Sequence, residues 1–98
     1  IVVDIGTPVI AAAKGRVSFV GWRKGLGKLV TLDHGNGYKS SYGHLSVILV
    51  QDHQEVERGE VIGRVGNTGY STGPHLHYEV HLKGRLVNPQ PYLWGGRF

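Results

Sequence analysis

The sequence predicts an all-β fold, a small antiparallel sandwich or barrel formed as a single domain. Short runs rich in β-branched and aromatic residues recur at even spacing along the 98 residues. Glycine, 16 in all, separates those runs with turn signals such as Gly25, Gly35, Gly37 and Gly59. No segment sustains a helical apolar period with capping residues.

The strands are expected at 9–13, 16–22, 28–33, 38–44, 61–65 and 75–82. The first ends at Gly15, and Gly25 and Gly27 separate the second from the third. Asp33-His34-Gly35-Asn36-Gly37 reads as the turn into the fourth, with His34 a structural or turn residue. Gln51-Asp52-His53-Gln54-Glu55 is a polar surface loop with His53 solvated. Glu55-Val56-Glu57-Arg58-Gly59-Glu60 reads as a solvated turn leading into the fifth strand, without chemistry of its own. Trp94-Gly95-Gly96-Arg97-Phe98 reads as a loosely held tail.

The sixth strand carries the chemistry. Its odd positions are His75, His77, Glu79 and His81, and its even positions are Leu76, Tyr78, Val80 and Leu82. Residues i and i+2 of a strand share a face, so His75 and His77 point into one polar space, roughly 6–7 Å apart. Such a pair suits one metal ligand and one neighbouring acid/base group, or simply a solvated polar face. A second histidine signal, Tyr42-Gly43-His44-Leu45, favours the first reading. His81 stands ~13 Å from His77 along the strand, where it lines a groove rather than sharing a ligand sphere. Tyr42 and Tyr78 read as core or groove-wall aromatics.

Composition bounds the remaining classes. A chain of this length buries somewhat over ~60% of its unfolded surface, enough for one core without staples. Cysteine is absent, which excludes disulfides and thiolate metal sites. No apolar run approaches the ~20 residues of a membrane span, and neither a signal peptide nor an initiator methionine is seen, so an export signal or anchor is expected outside this sequence. The net charge of +4 favours anionic polymers such as cell wall. Nucleic acid is disfavoured, because Lys14, Arg16, Arg23, Lys24 and Lys28 are scattered between turns without a stacking platform or a recognition helix.

The chain resembles the lysostaphin-type (LytM-like) zinc endopeptidases, which cut peptidoglycan cross-bridges or stem peptides. The likeness runs through Gly6-Thr7-Pro8-Val9, Ala11-Ala12-Ala13-Lys14-Gly15, Asp33-His34-Gly35-Asn36-Gly37-Tyr38 and Tyr42-Gly43-His44-Leu45. It continues through Gly59-Glu60-Val61-Ile62-Gly63, Gly66-Asn67-Thr68-Gly69, Ser71-Thr72-Gly73-Pro74-His75-Leu76-His77 and Asn88-Pro89, in the family's order.

The resemblance implies that His77 is a zinc ligand and that His44 and His75 are the catalytic histidines, one for proton transfer and one for the oxyanion, with an exchange of roles left open. It also implies that Asn67, Thr68, Tyr70, Ser71 and Thr72 border the substrate groove. The family's other two ligands come from an upstream His-x-x-x-Asp motif, and no such motif occurs in the sequence. Residues 1–98 are therefore expected to be a LytM-like peptidase domain without its N-terminal ligand segment, binding Zn²⁺ poorly alone. The implied partners are peptidoglycan peptides in the bacterial cell envelope, periplasmic or extracellular, with other wall components or an amidase as further possibilities.

Two other readings stay open. The first is a non-catalytic member of the same family that binds wall or activates a separate amidase. The second is a biotinyl/lipoyl-type carrier with barrel-sandwich-hybrid half repeats, which Gly6 to Val17 and Val56 to Gly63 fit in pattern. A carrier needs an exposed lysine at a hairpin tip, typically flanked by methionine, and the chain has no methionine.

Overall fold

Residues 5–66 and 77–89 are described by the computed structural model, and over them the protein is β-structure without a helix. The strands are β1 (Pro8–Ile10), β2 (Gly15–Arg23), β3 (Gly27–Gly35), β4 (Tyr38–Ile48), β5 (Glu55–Val56), β6 (Val61–Val65), β7 (His77–Leu82) and β8 (Arg85–Val87). They join in one antiparallel, curled sheet of order β1-β6-β4-β3-β2-β5, with β7 paired to β4 and β8 to β7.

The hairpins follow from local backbone chemistry. Between β3 and β4, Asn36 and Gly37 take φ of 53° and 83°, the pair of left-handed torsions that a type I′ turn requires. Lys83 and Gly84 repeat this between β7 and β8, with φ of 52° and 81°. The two turns pack on one another: Lys83 N donates to the Gly37 carbonyl at 2.7 Å, and a Cβ on Gly37 would stand 2.7 Å from Lys83 Cγ.

Alternation along β3, β4 and β7 separates core from site. Val30, Leu32, Tyr42 and Val80 are buried on one face with Val17, Leu45, Val56 and Ile62 from the neighbouring elements, while Thr31, Ser41, His77 and Glu79 belong to the other. Ser40 shares the core face, and its hydroxyl lies 2.9 Å from the Tyr42 hydroxyl.

Three expectations need correction. The first strand ends at Ile10; Ala11 and Ala12 stay buried, but Ala11 N bonds Glu60 O outside a strand, and Ala12 N donates to the Tyr42 hydroxyl at 3.0 Å. The 55–60 run is not simply a solvated turn. Glu55–Val56 is β5, paired to Gly15 and Arg16, and Val56 is fully buried. β4 runs on to Ile48 because its edge acquires a second partner there, and β8 forms a last strand that composition did not announce.

Candidate active site

β4 is the strand on which the site is assembled. One of its edges pairs with β3 along most of its length. The other is shared: residues 38–43 pair with β7, and Leu45, Val47 and Ile48 pair with β6. His44 sits at the changeover. Opposite it the β3 register slips, since Tyr42 faces Val30 and Leu45 faces Lys28, leaving one extra residue on β4. His44 has φ of 59°, in the left-handed region that a bulge can use to re-aim a side chain. The backbone is fixed on both sides: His44 N donates to Leu26 O at 2.6 Å and His44 O accepts from Gly66 N at 2.9 Å.

The bulge decides which side chains meet. Gly43, not His44, is the register partner of His77 on β7, and directly opposed residues share a face, so an unbulged strand would turn His44 away. Instead the His44 and His77 rings meet edge to face, with centroids 5.7 Å apart and planes at 86°. Gly43 leaves room for this approach, because a Cβ there would stand 3.3 Å from His77 Cβ and 3.2 Å from Leu26 O. His44 is buried, and His77 keeps about a third of its side chain exposed, at 35%.

Beside His77 on the same strand face, Glu79 places Oε2 2.8 Å from His77 Nε2. Its other oxygen lies 3.9 Å from His81 Nε2. The i, i+2 parity places Glu79 on the histidine face, but the ring-to-carboxylate bond belongs to side-chain rotamers and is invisible in the pattern. Beneath the site Tyr78 stacks obliquely on Tyr42, centroids 5.3 Å apart. Burial pushes the Tyr78 phenol far above its usual range, with the neighbouring Tyr42 adding to the shift, and burial also raises Tyr42. Both are neutral at physiological pH and belong to the core side of the sheet.

His75 and the groove residues Asn67, Thr68, Tyr70, Ser71 and Thr72 lie outside the described residues. His34, placed in a turn by sequence, stands on β3. Its Nδ1 lies 2.8 Å from Lys14 O and its Nε2 2.7 Å from Ser40 Oγ, a structural role away from His44 and His77. His53 is exposed on its loop. Among the described residues no group of three or more His, Cys, Asp and Glu side chains converges to hold a metal. What is present fits zinc in kind: an imidazole whose far nitrogen is held by a carboxylate is a common form of zinc-ligating histidine.

Comparison with known proteins gives this geometry a context. The sequence profile of Peptidase family M23 matches residues 1–89. Over 84 residues the chain is 50% identical to the peptidoglycan DD-endopeptidase ShyA of Vibrio cholerae, covering 86% of this chain and 20% of that protein. Over 89 residues it is 42% identical to the murein hydrolase activator NlpD of Escherichia coli, covering 90% and 23%. The chain thus spans about a fifth of the length of these curated relatives. Among solved structures, the catalytic domain of lysostaphin from Staphylococcus simulans superposes with a TM-score of 0.87 at 35% identity, covering 93% of this chain and 73% of that one. A zinc-containing peptidase from Vibrio cholerae superposes with a TM-score of 0.84 at 41% identity, covering 87% and 26%.

Proposed function

Because the chain belongs to peptidase family M23, we propose that it forms the scaffold of a zinc-dependent endopeptidase that cuts peptidoglycan stem or cross-bridge peptides. The observation that carries this reading is the bulge at His44, which spends a left-handed torsion to bring a buried imidazole against His77. Strain of this kind costs about 1–3 kcal/mol and is typically stored at functional sites.

His77 would hold the metal, and in the family it resembles a His-x-x-x-Asp motif completes the ligand set. Zinc, when bound, supplies Lewis acidity and an activated water at neutral pH. His75 accepts the proton of the attacking water and returns it to the leaving amine. His44 donates a hydrogen bond to the oxygen on which negative charge develops. Asn67, Thr68, Tyr70, Ser71 and Thr72 contact the peptide along the groove. The work place is the cell envelope, periplasmic or extracellular, where such peptides are found.

The test is muropeptide release from purified sacculi by the zinc-loaded, full-length protein that carries this chain. His44→Ala and His75→Ala should each lower the rate by about 100-fold or more, the usual loss for one oxyanion donor or one acid/base group. Rates within a few-fold of the parent would sink the mechanism.

One observation favours a second reading, that of a wall-binding domain that activates a separate amidase: the likeness to NlpD extends over 90% of the chain. Pelleting with sacculi without hydrolysis, together with stimulation of an added amidase, would select it.

A further inference from the structure

Among the described residues Glu79 is the one charged side chain that closes directly on His77, and its chemistry restricts what that imidazole can do. An ionised carboxylate only accepts hydrogen bonds. With Oε2 2.8 Å from His77 Nε2, the ring must place its proton on Nε2 and donate it. A neutral imidazole has one N–H, so the lone pair then resides on Nδ1, which makes no hydrogen bond among the described residues. The carboxylate is itself constrained. It is about three-quarters buried, at 26% exposure, stands in register with Ser41 of β4, and has Oε1 3.9 Å from His81 Nε2. The ring it holds is also met edge-on by His44, so both tautomer and plane are set before any ligand arrives.

We infer that Glu79 is a positioning residue: it locks His77 in the Nε2–H tautomer and so makes Nδ1 the nitrogen presented to a metal. The inference rests on the zinc reading of His77 only in its last clause; the tautomer itself belongs to the metal-free protein. Without the carboxylate, the imidazole distributes its proton between two nitrogens and rotates about χ2. A metal must then select one arrangement out of several, and outer-sphere partners of this kind commonly change metal affinity by about 10–100-fold.

The experiment uses the metal-free full-length protein labelled with ¹⁵N-histidine, and long-range ¹H–¹⁵N correlation of the imidazole rings. His77 should show a protonated Nε2 and an unprotonated Nδ1. Glu79→Ala should abolish that preference, and Glu79→Gln, whose amide oxygen still accepts, should largely restore it. His81→Ala should leave it untouched. Zinc titration by calorimetry should then show affinity about 10–100-fold weaker in Glu79→Ala and within a few-fold of the parent in Glu79→Gln. A parent His77 protonated at Nδ1, a tautomer indifferent to Glu79→Ala, or unchanged affinity in that variant would each overturn the inference. A parent that binds no zinc, while Glu79→Ala still shifts the tautomer, would overturn the peptidase reading and leave the hold of Glu79 on His77 in place.

Discussion

Tyr42 carries its hydroxyl into the core, where Ala12 N donates to it at 3.0 Å and Ser40 Oγ lies 2.9 Å away. Tyr42→Phe keeps the ring but leaves the Ala12 N–H buried without its acceptor, so a loss of about 1–3 kcal/mol is expected in urea unfolding. His34 sits at the far end of the same chain of bonds. Its Nδ1 faces a carbonyl that can only accept, so the ring is a donor there, and its Nε2 lies 2.7 Å from the Ser40 hydroxyl. Burial holds the His34 pKa below its ordinary 6.5, against the raising pull of the Lys14 carbonyl and of Asp33. Between that lowered value and 6.5 the unfolded chain binds more protons than the folded one, so stability falls as pH drops through this window. The slope should flatten in His34→Gln, as measured by urea unfolding from pH 5 to 7. Spacing alone places His77 and Glu79 on one face of β7, as the register with β4 has it. The partners of His34 could not be named from sequence, since the residues that bond it, Lys14 and Ser40, come from other parts of the chain.

Pairing between elements explains which strands the pattern revealed. β2, β3, β6 and β7 were legible because each is a run of five residues or more with β-branched or aromatic residues between turn signals. β5 and β8, of two and three residues, have no room for a period and exist only because a longer neighbour offers an edge. The bulge in β4 was equally hidden, since Tyr-Gly-His reads as uninterrupted strand and only the slipped register against β3 exposes the extra residue. The close passage of β6 beside that bulge gives a sharp test. A Cβ on Gly66 would stand 2.5 Å from Ser46 N and 2.7 Å from Ser46 Cα, both backbone atoms that cannot swing aside. Gly66→Ala should therefore cost about 1–3 kcal/mol as an overpacked contact. It should also loosen the Gly66 N to His44 O bond, so muropeptide release should fall by more than the lost stability accounts for.

At the scale of the molecule, the sheet closes through partners distant in sequence: Pro8 of β1 pairs with Arg64 of β6, and Ser41 of β4 with Glu79 of β7. Loop closure must be met before such contacts form, so refolding should occupy the millisecond-to-second range typical of all-β domains in stopped-flow fluorescence. A microsecond phase carrying the full amplitude would contradict this. The all-β class was legible because turn chemistry and alternation agree along the chain. The curl of the sheet was not, because it depends on one edge of β4 being divided between two partners. That division also has a consequence for how the protein can change. Residue 66 is tied to His44, and residue 77 pairs with Gly43, so the two residues that bound 67–76 are held at neighbouring points of one strand. Lengthening a segment with adjoining ends costs little, about 0.6 kcal/mol for each doubling. Residues 67–72, proposed above to face the substrate, can therefore be exchanged or lengthened, in evolution or at the bench, while His44, His75 and His77 are kept.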